Sequence, residues 1–542
     1  MAQQSPSPEQ PEPPKIPAST LAHAEEVIGL AFTDSERLLM AEDVDEHRGH
    51  YEKIRAVPLG NSTAPAIRFD PRPIGAEFNH DRKPIITSSV DLPALPSDIE
   101  EIAFWPVTHL SRLIQTQKIT SVALTEMYIR RLKRYDPVLH CVVTLTEDRA
   151  MEQAKRADDE IARGHYRGPL HGIPYGAKDL LSARNLPTTW GAEPYVEQVF
   201  DYDATVVQKL EDAGAVLVAK LTLGALAWGD VWFGGQTRTP WNVEEGSSGS
   251  SAGSGAATAA GLVGFAIGTE TYGSIVSPST QCRVSGLRPT FGRVSRYGAM
   301  ALCWTLDKIG PMCRTVEDCA LVFDAIYGPD GKDPTVTDYP FNWDASLEVQ
   351  TLRVGYEKNA FDEDTPYKVR NEQALDVLHS LGINLVPIEL PDLPIDALSI
   401  ILSSEAAAAF DELTRSNRDD LLTRQTKDAW PNAFRAARLI PAVEYLQAQR
   451  VRTMLVDEMA SLMEKIDVYV SPPFSNNLLL TNMTGHPAVV VPNGVTAENK
   501  PASITFTGNL YQEGIALRVA KAFQDATDFH LQHPQLDPGK IF

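Results

Sequence analysis

Residues 246–300 concentrate groups able to do nucleophilic chemistry: G-S-S-G-S-S-A-G-S-G-A-A-T-A-A-G opens the stretch, and G-T-E-T-Y-G-S-I-V-S follows (268–277). A serine hydroxyl attacks a carbonyl efficiently only when a base within hydrogen-bond reach takes its proton. The glycine/serine run has the composition of a flexible linker. A linker, however, is not normally followed at once by an alanine-rich segment and an apolar run such as Ala256 to Ile267. Gly249-Ser250-Ser251-Ala252-Gly253 also fits G-x-S-x-G, with Ser251 as nucleophile and His486 as a histidine further along. That motif needs a hydrophobic strand directly before it, whereas P-W-N-V-E-E-G (240–246) reads as a loop. Upstream, G-I-P-Y-G-A-K-D-L (172–180) is a short apolar element ending in Lys178, which by itself reads as a surface lysine at a strand end. Metal chemistry has no support: the 12 histidines include no H-E-x-x-H pair. The five cysteines (Cys141, Cys282, Cys303, Cys313, Cys319) include no C-x-x-C and read as small buried hydrophobes.

The elements that must position these groups have the rhythm of an α/β protein. Ser121 to Tyr135 and Thr146 to Arg163 carry helical spacing. D-A-T-V-V-Q-K-L-E-D-A-G-A-V-L-V-A-K (203–220) reads as helix, glycine stop and strand, and residues 371–388 repeat that pattern. Such units indicate an α/β sheet. Residues 1–18 read as a flexible Pro-rich tail, and residues 19–101 as an N-terminal helical and extended arm. The arm's second amphipathic helix opens at Thr33-Asp34-Ser35-Glu36, and Pro58 to Pro96 should lie extended over a main body at 102–542.

The chain has 542 residues, 43% hydrophobic and 22% charged, which is ordinary for a soluble globular protein. A net charge of −22 repels phosphate backbones and anionic lipid, so neither nucleic acid nor membrane is an expected partner. No apolar stretch reaches the roughly 18 residues that span a bilayer. The opening Met-Ala-Gln-Gln-Ser-Pro carries no signal peptide. A cytoplasmic protein and an exported one whose signal is absent from this sequence are both compatible.

A third reading of the glycine/serine run accounts for more of the chain. The order of motifs resembles the signature sequence of the amidase signature family: G-G-S-S-G-G-S-A-A-A, a small-residue helix, G-(S/T)-D-(T/I)-G-G-S-I-R, then C-G-(V/I)-(V/C)-G-L-K-P-T. Laying G-S-I on Gly273-Ser274-Ile275 puts the family's paired serines on Ser250 and Ser251 without insertion. The resemblance extends through H-G-I-P-Y-G-A-K-D-L, T-R-T-P-W-N, G-L-R-P-T-F-G-R-V-S-R-Y-G and N-M-T-G-H-P-A-V-V-V-P, spanning roughly 104–530 in the right order.

The resemblance implies a single α/β/α sandwich around a large twisted mixed sheet. It also implies amide hydrolysis without metal or cofactor, on a small-molecule amide. Ser274 would be the nucleophile, Ser250 the bridge and Lys178 a neutral lysine base, with a cis peptide at Gly249–Ser250 and Ser251 steadying the network. Backbone N–H groups of Thr271, Tyr272, Gly273 and Ser274 would form the oxyanion hole. Asp179, if it pointed inward, would oppose a neutral Lys178.

Three departures bear on substrate. Tyr272 stands where glycine is usual and should narrow or line the acyl pocket. Glu270 replaces an aspartate. Val276 replaces an arginine, which disfavours a small anionic acid amide. Trp228, with Trp232 and Phe233, is a candidate channel lining. Together these favour a neutral apolar or aryl amide, with esters and carbamates as further candidates. The alternatives are a glutaminase-type subunit of an amidotransferase and a catalytically inactive binding scaffold. A homodimer is compatible, with the first 100 residues as one candidate contact.

Overall fold

The computed structural model describes residues 16–536; most of the 1–18 tail reading therefore lies outside the described residues. Two helices open the described chain, α1 (Ala18–Ile28) and α2 (Asp34–Arg55). The start of α2 is where the local chemistry places it. Thr33 accepts the Glu36 amide, and the Glu36 carboxylate accepts the Thr33 amide, a reciprocal cap that satisfies two otherwise orphan donors. After α2 the chain runs irregularly to Asp98 and is held to the body at separate points. The Ile86 amide and carbonyl bond Trp343 and Ala345, and the Asn61 amide group exchanges two 2.8 Å bonds with the backbone of Ala301.

The body is built on one eleven-stranded sheet. In chain order its strands are β1 (Val142–Leu145), β2 (Pro174–Lys178), β3 (Val216–Leu221), β4 (Phe265–Glu270), β5 (Ser285–Arg288), β6 (Lys308–Cys313), β7 (Val354–Glu357), β8 (Leu385–Ile388), β9 (Val468–Ser471), β10 (Ala488–Val495) and β11 (Pro501–Gly508). Their spatial order is β1-β3-β2-β4-β6-β5-β10-β11-β9-β7-β8. β2 runs parallel to both β3 and β4, β7 is parallel to β8 and β9, and the remaining pairs are antiparallel. This is the large mixed sheet expected. Every residue of β2, β3, β4 and β6 is buried, as in strands covered on both faces.

The helices expected from spacing form at Ser121–Leu139, Glu147–Ala162, Thr205–Asp212 and Lys368–Ser380. The first is capped twice, by the Thr120 hydroxyl and by the Asp158 carboxylate, which accepts the Ser121 and Val122 amides. The small-residue run forms the helix Ala252–Ala259, buried on every residue. Gly253 is required by close packing: a Cβ there would stand 2.4 Å from the Cys141 carbonyl oxygen.

One local expectation is corrected. Residues Asn242–Gly246, read as a loop, form a short strand paired antiparallel with Arg238–Thr239. It belongs to a separate two-stranded ribbon and is only partly buried, so it is not the hydrophobic strand a nucleophile elbow requires.

Candidate active site

Lys178 ends β2, an interior strand between β3 and β4, and its whole side chain is shut away from water. Its Nζ donates to Ser250 Oγ at 2.9 Å, Ser251 Oγ at 3.0 Å and Thr269 Oγ1 at 2.9 Å, with the Thr269 carbonyl at 3.4 Å. No carboxylate is among these partners. Burial lowers the Lys178 pKa to about 7, against opposing fields from Asp307 and Glu270. The neighbouring Asp179 does not hold Lys178 charged, because it is taken by other donors. Lys220 lies 2.7 Å from one of its oxygens, and the Thr189 amide and hydroxyl bond the other at 2.8 and 2.6 Å.

Ser250 enters through a cis Gly249–Ser250 peptide. The segment before it is packed against the 224–230 turn: a Cβ on Gly249 would fall 1.9 Å from the Gly229 carbonyl oxygen, and Asp230 accepts the Ser248 amide at 3.0 Å. Ser251 stands at the N-cap position of the small-residue helix, but its side chain is tied to β4 instead, donating to the Thr269 carbonyl at 3.1 Å while accepting the Thr269 amide at 3.1 Å.

Ser274 sits on the turn after β4, 8% exposed. Its carbonyl accepts the Ser251 amide at 3.2 Å, which sets the two serine-bearing segments against each other. Among the described residues no hydrogen bond joins the Ser274 and Ser250 hydroxyls; in unliganded sites such bonds are often long and tighten with substrate. The amides of Thr271, Tyr272, Gly273 and Ser274 likewise donate to no acceptor among the described residues, while Gly273 takes φ +81.

The turn is held from behind by Glu270. This fully buried carboxylate accepts the Ile275 and Val276 amides at 2.8 and 3.0 Å and bonds Arg288 and Asn482 at 2.9 Å each. Burial opposes its charge, yet Arg288 and these donors pull its pKa down to about 2. Thr271 donates to Asp307 at 2.6 Å, and the other oxygen of Asp307 accepts the Leu302 and Cys303 amides.

The structure thus brings Lys178, Ser250, Ser251 and the 271–274 turn together. The remaining candidates lie differently. Tyr272 is 46% exposed, whereas Val276 is fully buried at the start of the helix Val276–Cys282, with its amide on Glu270. Trp228 packs edge-on against Trp430 at 4.4 Å and lines a small cavity with Leu422 and Pro431. Trp232 and Phe233 pack edge-on against each other at 4.8 Å. His486 is buried with Nδ1 2.8 Å from Thr484 Oγ1, and burial pushes its pKa down to about 3; no bond links it to Ser251. Thr269 and Asp307 are site residues that sequence reasoning missed, and their only sequence signal is position, at the end of an apolar strand beside the nucleophile motif and at the start of another. Among the described residues no group of His, Cys, Asp and Glu side chains is arranged to hold a metal, and no helix is long and apolar enough to cross a membrane.

Comparison with known proteins supplies an independent frame. The family profile described as Amidase matches residues 123–517. The glutamyl-tRNA(Gln) amidotransferase A-subunit of Coxiella burnetii is 32% identical over 481 residues, covering 79% of this chain and 99% of that protein. That of Roseiflexus sp. is 34% identical over 467 residues, covering 77% and 96%. Among solved structures, native peptide amidase from Stenotrophomonas maltophilia superposes with a TM-score of 0.69 at 28% identity, covering 79% of this chain and 97% of that one.

Proposed function

This chain belongs to the amidase (amidase signature) family, enzymes acting on C–N bonds, and from that premise we propose that it hydrolyses carboxylic amides through an acyl-enzyme on Ser274. The observation that carries the reading is the state of Lys178: fully buried, bonded to hydroxyl and carbonyl oxygens alone, with its pKa lowered to about 7. An amine of that kind is a competent base at neutral pH.

Ser274 Oγ forms a bond to the carbonyl carbon as its proton passes to Ser250 and a proton passes from Ser250 to Lys178. The carbonyl oxygen gains negative charge against the 271–274 amides, which have no acceptor among the described residues. The C–N bond then breaks, and the relay returns the proton to the departing nitrogen. Water, deprotonated by the same route, attacks the acyl-enzyme and releases the acid and free Ser274. The substrate class we favour is a neutral apolar or aryl amide, with esters and carbamates as further candidates, because Val276 offers no cation beside the nucleophile.

A fluorophosphonate probe followed by mapping of the labelled peptide tests this reading without a known substrate. Label on Ser274, largely lost in Lys178→Ala, is the expected result. Label on Ser251 that survives the lysine change overturns it. A second reading, the ammonia-releasing component of an amidotransferase, draws on the identity to the Coxiella and Roseiflexus proteins. Ammonia release from glutamine that appears only with partner chains added would favour it. Function unchanged in Ser274→Ala would favour a non-catalytic scaffold.

A further inference from the structure

A cavity of about 480 Å³ adjoins the candidate site. Thr269, which bonds Lys178, and Thr271, the first residue of the turn that carries Ser274, both line it. So does most of the segment 296–304, including Tyr297, Met300 and Trp304. The charged groups around the space are occupied. Arg296 and Asp333 pair at 2.9 Å, and Lys332 stands over the Tyr297 ring at 4.4 Å. Lys308 lies opposite Glu270 in the register, with its amine on the Leu306 carbonyl. Three further lining residues, Asn61, Ser62 and Ala64, belong to the N-terminal arm, outside the family match at 123–517.

The arm grips the 296–304 segment and its continuation at two points. Asn61 Oδ1 accepts the Ala301 amide and Nδ2 donates to the Ala301 carbonyl, each at 2.8 Å, so one side chain pairs both backbone groups as a neighbouring strand would. No other protein group among the described residues bonds either of them. Further along the arm, the Phe69 ring centroid lies 3.4 Å from the Arg452 guanidinium, and Arg452 donates to the Thr305 hydroxyl and carbonyl. The segment then ends at Asp307, which holds the Leu302 and Cys303 amides with one oxygen and the Thr271 hydroxyl with the other. Arm, cavity wall and oxyanion turn are therefore one connected unit.

We infer that the N-terminal arm completes the substrate site: residues 61–64 form a wall of the cavity that takes the uncharged aryl group of the substrate remote from the scissile bond, and Asn61 is the positioning residue that fixes this wall. The inference rests on the amide-hydrolase reading above and adds a specificity element to it. A cavity of this size, lined by aromatic residues and with its charges occupied, suits an uncharged ring. Its hold on such a ring depends on walls that stay in place, because apolar contact area is lost as soon as one side opens. Without the Asn61 amide, the Ala301 backbone and residues 62–64 are no longer fastened to each other.

The test compares two fluorophosphonates that differ only in the group on phosphorus, methyl or 3-phenylpropyl, by their second-order rates of labelling Ser274. In the intact protein the phenylpropyl probe should label faster by about tenfold or more. Asn61→Ala should bring that ratio close to one, chiefly by slowing the phenylpropyl probe. Because the ratio is taken within each variant, partial loss of folded protein cancels. A merely structural role for Asn61 would slow both probes together and leave the ratio as it was. Equal rates for the two probes in the intact protein, or a preference that Asn61→Ala leaves intact, overturns the inference while the label on Ser274 keeps the hydrolase reading standing. If neither probe labels Ser274, the hydrolase reading fails and the arm's role in the substrate site falls with it.

Discussion

Lys178 and Lys220 sit on adjacent parallel strands, one residue out of step: Ala177 pairs with Lys220, and Lys178 with Leu221. Both side chains are fully buried, and burial lowers the pKa of both. They differ in what meets the nitrogen. Lys220 Nζ has Asp179 at 2.7 Å, with Thr188 Oγ1 and the Pro187 carbonyl completing its shell. Lys178 has three hydroxyls and no carboxylate. The same residue in the same sheet is thus a structural cation where a carboxylate faces it and a candidate base where uncharged oxygens do. Asp179, next to Lys178 in sequence, is the carboxylate that Lys220 occupies.

The largest effect that separates them is on activity. Lys178→Ala should lower amide hydrolysis by about 10²–10⁴-fold, the usual range for a positioned general base, as read by kcat/KM on any cleaved amide. A loss below tenfold would remove Lys178 from the proton path. Lys220→Met should act on stability instead. Leaving Asp179 buried without its cation should cost about 3–5 kcal/mol, measured by denaturant unfolding. Changing Asp179→Asn together with Lys220→Met should recover much of that loss, since removing a buried pair is far less damaging than removing one partner. A double variant no more stable than the single one would break the account of the pair.

How much of this was legible beforehand follows the range of the interactions. The α2 start was readable because the Thr33–Glu36 cap is made within four residues. The nucleophile turn was readable because Gly273-Ser274-Ile275 and the 250–251 serines keep a fixed spacing along one stretch. Lys178 was different: taken alone it read as a surface lysine, and only the order of motifs around it singled it out. Thr269 and Asp307 were not legible, because they reach the site only when β4 and β6 pair, with Lys308 opposite Glu270. Nor was the partnership of Asp179 with Lys220, 41 residues away across a parallel crossover. The Asn242–Gly246 strand was missed because V-E-E has no alternation of apolar and polar residues, and its partner strand is two residues long.

The pH profile sharpens the contrast further. A base must be unprotonated, so with the Lys178 pKa near 7 the rate should rise about tenfold per pH unit below 7 and level off above it. Lys220→Met, where folded, should keep the same inflection. A profile flat from pH 5 to 8 would mean that Lys178 does not titrate in the rate-determining step.

The smallest effect is the one that most cleanly divides the two lysines, because it has opposite signs at the two positions. The Lys178 pKa is lowered on folding, so between about pH 7 and its ordinary value near 10.4 the unfolded chain binds the extra proton. Stability should therefore rise with pH across that window, and the folded state carries its full penalty at and below pH 7. Replacing Lys178 by Met removes the penalty but also removes three hydrogen bonds to Ser250, Ser251 and Thr269, each contributing about 0.5–1.5 kcal/mol. Ser251 keeps its bonds to the Thr269 backbone, so part of the network survives the change. The net expectation at pH 7 is a small gain for Lys178→Met, shrinking as the pH rises toward 10, against the loss in Lys220→Met. Unfolding curves at pH 7 and 9 measure both signs. A Lys178→Met effect on stability that is the same at pH 7 and pH 9 would mean that folding does not lower the proton affinity of Lys178, and the case for a neutral base at this position would fail.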